Sequence, residues 1–108
     1  MLDASGAGAR LDGRAIPLLP GVADLVAAGV ESTLAPANRE RTGAVSLAGA
    51  PSNAALAALA DPQTCGGLLI GVAPGDADAL VDALRAAGYE NATAIGDVTA
   101  SAVGIRID

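Results

Sequence analysis

A chain of 108 residues accommodates one domain with one core and is too short for two ordinary domains. Just over half of its residues are apolar, yet Tyr89 is the only aromatic, so the core must be alanine, leucine, valine and isoleucine, and thin. A net charge of −6, with no histidine, no lysine and one cysteine, argues against nucleic-acid or anionic-lipid binding, histidine acid–base chemistry, a lysine-bearing phosphate loop and a zinc cluster.

In chain order, Ser5-Gly6-Ala7-Gly8 reads as a loop and Ala9-Arg10-Leu11 as a short strand ending at Asp12-Gly13. Pro17 and Pro20 hold Leu18-Leu19 extended. Val22, Leu25 and Val26 predict a helix after Gly21, with Gly29 closing it. Ser32, Thr33 and Pro36 start a second helix that carries Arg39, Glu40 and Arg41 on a solvated face. Val45-Ser46-Leu47 is a candidate strand. Ser52 is placed to cap a helix running to about Ala60, with Leu56 and Leu59 on one face.

Asp61-Pro62 then opens a turn, and the Gly66-Gly67 pair allows close approach of backbone to a neighbour or ligand. The apolar run Leu68-Leu69-Ile70-Gly71-Val72 predicts a buried strand. Pro74-Gly75-Asp76 starts the clearest helix, whose Ala77, Leu80, Val81 and Leu84 share one face. Arg85 suits its end and Gly88 closes it. Ala92–Val98 and Ala102–Ile107 are expected as further strands, the last two forming an antiparallel hairpin. Strand 68–72, the helix and strand 92–98 make a βαβ unit, so the expected fold is α+β: a mixed sheet with packed helices over residues 1–108 as a single domain. No apolar run is long enough to span a membrane, and Met1-Leu2-Asp3 lacks the basic start of a signal peptide. Together with the single cysteine, this makes a cytoplasmic protein the expectation.

The loop Asp61-Pro62-Gln63-Thr64-Cys65-Gly66-Gly67-Leu68-Leu69 resembles the Asp-Pro-Gln-Thr-Ser-Gly-Gly-Leu-Leu motif of the selenophosphate synthetases (selenide, water dikinases), with Cys65 in place of serine. The segments Ile16–Gly21, Ala28-Gly29-Val30, Ser32-Thr33, Pro36–Arg39 and Ala94–Val98 are similar to the same family, in order. The resemblance covers nearly the whole chain, but only the C-terminal part of an enzyme about three times as long. It implies a domain of the aminoimidazole ribonucleotide synthetase superfamily type, packed beside an N-terminal ATP-binding domain. The family uses ATP and magnesium to phosphorylate selenide, giving selenophosphate, AMP and phosphate. Its reactive cysteine or selenocysteine, its lysine and its metal-binding aspartates belong to the N-terminal part and have no counterpart in this sequence. The chain is therefore expected to hold no cofactor and no catalytic residue, and to be inactive alone.

Asp61, Gln63, Thr64, Gly66 and Gly67 are the candidates for one wall of a substrate or phosphate cleft; the alternative is a structural turn before a strand. Asn38 and Arg39 are weaker candidates for anion contact, the alternative being a solvated helix face. Cys65 has no histidine or lysine to activate it and reads as a small, buried or half-buried thiol. Asp76, Asp78 and Asp82 suit a helix start and an exposed helix side rather than a metal. The expected partners are an N-terminal synthetase domain and a second copy in a homodimer. A non-catalytic interaction module, or a gene remnant retaining the fold, are the competing readings.

Overall fold

The computed structural model describes residues 2–41, 45–47, 53–62, 66–100 and 103–108. A single helical turn, α1 (Leu2–Ser5), leads into strand β1 (Gly8–Leu11), then helices α2 (Val22–Ala27) and α3 (Ala35–Arg41), strand β2 (Val45–Leu47) and helix α4 (Asn53–Ala60). A 3-10 turn at Pro74–Asp76 precedes helix α5 (Ala77–Ala86), and strands β3 (Gly96–Thr99) and β4 (Gly104–Ile107) follow.

Both predicted glycine stops are present. After α2, Gly29 adopts φ 77° and after α5 Gly88 adopts φ 97°. Val30 N–H donates to the Leu25 carbonyl at 2.9 Å and Tyr89 N–H to that of Leu84 at 3.0 Å. These bonds, with the shorter ones from Gly29 to Val26 and Gly88 to Arg85, close the helix ends as Schellman motifs.

The strands form one mixed sheet in the order β2-β4-β1-β3. β1 is antiparallel to β3 and parallel to β4, and β2 is parallel to β4. The ladder extends beyond β1 and β4, with Asp108 N–H donating to the Leu11 carbonyl and Gly13 N–H to the Asp108 carbonyl. The register puts Ala9, Val98 and Ile105 on one face with Leu11, Gly96 and Ile107, and Arg10, Asp97 and Arg106 on the other. Ile107 is the large side chain wholly buried on the apolar face. At Gly96 the β1–β3 approach is so close that a Cβ would stand 2.0 Å from the Arg10 carbonyl oxygen.

The expected thin core is observed. Among the described residues the buried apolar side chains are Ala35, Ala54, Ala55, Ala60 and Ile107. α4 is the hub of the helical part, packing against α2 and α3. Alanine permits that close approach, and each buried methyl contributes only about 0.8 kcal/mol.

Three expectations are corrected. The α+β class and the mixed sheet hold, but β3 and β4 are not a hairpin: they run antiparallel with β1 inserted between them. The strands are also shorter than expected, so Ala92–Ile95 lie outside β3. Leu68–Val72 is neither buried nor paired: it lies outside the sheet with its side chains exposed, so the expected βαβ unit lacks its first strand. The physical reason is the lack of a cover: among the described helices and strands, α5 packs appreciably only on its own lead-in turn and lays no face over Leu68–Val72, whose side chains stay exposed. No helix among the described residues is long and apolar enough to cross a membrane.

Candidate functional site

The loop that carries the motif leaves the C-terminus of α4, and its base is fixed by α3. Asn38 Nδ2 donates to the carbonyl of Ala60 at 2.9 Å, in a half-buried position. A helix end leaves its last carbonyls without intrahelical partners, and this amide satisfies one of them immediately before Asp61. Asn38, an anion candidate in the sequence, is thus a positioning residue for the loop's first step.

Asp61 is exposed at the bend, and Gly66 and Gly67 are exposed on the far side of the loop. Gln63, Thr64 and Cys65 lie outside the described residues. A Cβ on Gly67 would meet no atom within 4 Å, so nothing within the described domain requires glycine there. The described ends of the motif are therefore open to solvent.

Arg39 is placed differently. Its Nη2 meets Glu31 Oε2 at 2.6 Å, so an anion approaching this guanidinium would compete with a carboxylate. The pair lies on a shallow groove of about 290 Å³ whose apolar lining comes from Val26, Val30, Leu56 and Ala57, where α2, α3 and α4 converge. Asn38 and Arg39, adjacent in sequence, thus serve different partners: one the loop base, the other the groove. Sequence reasoning missed Glu31, which sits outside any helix and lacks the periodic spacing that flags ion pairs.

A second polar constellation covers the hydrophilic face of the sheet. Arg10 and Arg106 both donate to Asp108, the Arg106 contact measuring 3.0 Å. The Arg10 guanidinium, then that of Arg106, holds the Asp108 carboxyl below the usual carboxylate range. Asp12 is held low chiefly by the Arg14 backbone N–H, which donates to its Oδ1 at 2.9 Å. These groups are open to solvent, so they orient the strand ends rather than build a pocket. The sequence signal that could have found them is the cross-strand pairing of residues 10 and 106, which local periodicity does not reveal.

Among the described residues no group of three or more histidine, cysteine, aspartate or glutamate side chains is arranged to hold a metal ion. The magnesium that the resemblance implies for the intact enzyme therefore has no fitting donor set among the described residues. Asp76 and Asp78 sit at the start of α5 as their position in the sequence anticipates, and Arg85 at its end donates to the Ala92 carbonyl at 3.0 Å.

Comparison with known proteins adds a family to this geometry. A relative from Pelobacter propionicus named "Selenide, water dikinase" is 40% identical over 95 residues, covering 87% of this chain and 27% of the relative. One of the same name from Burkholderia pseudomallei is 39% identical over 107 residues, covering 96% of this chain and 30% of the relative. A third so named, from Rhizobium meliloti, reaches 51% identity over 49 residues, 45% of this chain. The chain thus spans less than a third of the length of these curated relatives. The family profile described as "AIR synthase related protein, C-terminal domain" matches residues 1–108. The chain belongs to the AIR synthase related protein C-terminal domain family.

Proposed function

We propose that this chain is the C-terminal domain of a selenide, water dikinase, the ATP-dependent enzyme that converts selenide to selenophosphate with release of AMP and phosphate. The observation that carries the reading is the Asp61–Leu69 motif, borne by a chain similar to relatives of that name over nearly its whole length. The anchored loop base supports it, since Asn38 fixes the residue before Asp61. In this reading Asp61, Gln63, Thr64, Gly66 and Gly67 line one wall of a cleft whose other wall, with the reactive thiol or selenol, lysine and magnesium-binding carboxylates, belongs to an N-terminal domain. Backbone N–H groups around the glycine pair then orient a phosphate without supplying a proton or nucleophile. ATP and magnesium are bound by the assembled protein in a soluble, cytoplasmic setting.

The test is a chimera in which residues 1–108 replace the matching part of the Burkholderia pseudomallei relative. We expect AMP formation from ATP to remain selenide-dependent. Gly67→Val in that chimera should leave the fold intact and lower turnover by about 100-fold, because a misplaced phosphate loses its alignment. A folded chimera without activity, or full activity in Gly67→Val, would overturn the reading. So would selenide-dependent AMP release by the 108-residue chain alone.

A further inference from the structure

The strand order β2-β4-β1-β3 alternates between the two halves of the chain. β1 and β2 precede the Asp61 bend, and β3 and β4 follow it. Each of the three ladders, β2–β4, β4–β1 and β1–β3, therefore pairs a strand of one half with a strand of the other. In this sheet neither half holds two neighbouring strands, so neither satisfies a strand's backbone groups by itself.

The ties around the sheet follow the same division. Asp12 N–H donates to the Ile95 carbonyl at 2.9 Å, Asp108 N–H to that of Leu11 at 2.9 Å and Gly13 N–H to that of Asp108 at 3.0 Å. Arg10 reaches the Asp108 carboxylate across the same seam. Helix packing does the reverse: α4 holds α2 and α3 in the first half, while α5 rests on its lead-in turn in the second. Among the described elements the halves thus meet chiefly through strands. The backbone that joins them at residues 68–72 lies outside the sheet.

We propose that the domain is a complementary pair of halves, each the template for the other's strands, and that chain continuity through residues 68–72 supplies proximity but no part of the fold. The first half presents both edges of β1 and one edge of β2. Its partner is the strand pair β3 and β4 of the second half, which enters on either side of β1. A cut between Gly71 and Val72 then leaves a one-to-one complex rather than two unfolded pieces. The intact connection acts through effective concentration, which is of order millimolar for a flexible tether. At about 10 µM protein, cutting should lower the ratio of folded to unfolded domain by roughly 100-fold and make it concentration-dependent. This inference does not depend on the enzymatic reading.

The test begins with the full chain carrying the recognition sequence of a site-specific protease between Gly71 and Val72. We expect the folded protein to be cut and the product to elute as one species with its far-UV circular dichroism unchanged. Its melting temperature should rise with concentration, while that of the uncut chain does not. Each half, separated in urea and refolded alone, should retain helix at most. Remixing should restore hydrogen-exchange protection at the amides of Asp12 and Asp108, whose bonds cross between the halves. Ile107→Ala truncates the wholly buried side chain that the second half contributes, and should raise the dissociation constant of the cut pair by at least about 30-fold. Leu19→Ala, exposed and outside the sheet, should leave it unchanged. Halves that stay unfolded together even at about 1 mM would overturn the proposal. So would strand-like amide protection in either half alone, or a chain that resists the protease until it unfolds. A pair that reassembles but is indifferent to Ile107→Ala would move the joint away from the sheet and overturn it too.

Discussion

Helices α4 and α5 are built from similar numbers of residues and meet opposite fates. α4 is apolar nearly all round, Asn-Ala-Ala-Leu-Ala-Ala-Leu-Ala, and has no pronounced hydrophobic stripe, yet it packs against both α2 and α3 and buries Ala54, Ala55 and Ala60. α5 has the clean stripe of Ala77, Leu80, Val81 and Leu84, well-placed charges at both ends and a Schellman stop, yet none of its residues is fully buried. Periodicity states which face of a helix prefers cover; whether a cover exists is decided by the rest of the molecule. The helix most legible in the sequence is therefore the one least integrated into the fold.

The packed half of the molecule depends most on Gly96. Gly96 returns the chain to the packed part after α5, and Gly96→Ala would force a Cβ into the Arg10 carbonyl. We expect a loss of about 3 kcal/mol or more, unfolding a domain of ordinary marginal stability, read from the urea midpoint. A variant as stable as the parent would mean that the β1–β3 contact is not part of the integrated half.

A paired substitution sharpens the contrast at intermediate scale. Ala55→Leu overfills the α2–α3–α4 junction and should cost about 1–3 kcal/mol. Leu84→Ala, which removes from α5 the same side-chain volume that Ala55→Leu adds, should cost less than about 1 kcal/mol, because its side chain is only half-buried. Reversal of that order would show α5 to be the better packed helix.

The smallest effect belongs to the polar face of the sheet. Asp108 and Asp12 have folded-state pKa values depressed by Arg10 and by the Arg14 backbone N–H, respectively. Depressed carboxylates stabilise the fold above their unfolded-state value, near 4, and that contribution disappears as pH falls through the folded values. Melting temperature should therefore be flat between pH 7 and 5 and decline below about 4. Arg10→Gln should move the NMR titration of Asp108 upward toward the ordinary carboxylate range. An unmoved titration would remove Arg10 as its main cause.

Local chemistry was the legible part. Glycine stops at Gly29 and Gly88, the Pro-Gly-Asp start of α5 and the short strands β1 and β2 each follow from residues within a few positions of one another. Insertion of β1 between β3 and β4 leaves no such trace, since its partners lie about ninety residues away and pair through backbone groups common to every sequence. The apolar run at Leu68–Val72 departs from its expected burial because composition reports a preference for burial and not the presence of a cover. In the candidate site, the motif made the loop recognisable, but the division of labour between Asn38 and Arg39 depended on Ala60 and Glu31, which only the fold brings near.

The insertion of β1 also sets an order of events during synthesis. Residues 8–11 are made well before both of their neighbours in the sheet. At about 5–20 residues per second, β1 waits roughly 5–20 s for β3 and β4. Helices α2 to α4 can assemble during that interval, whereas the centre of the sheet cannot. Nascent chains of this domain thus carry an unfinished sheet until its last strand is released, and the step that completes them is the threading of their oldest strand between their two youngest.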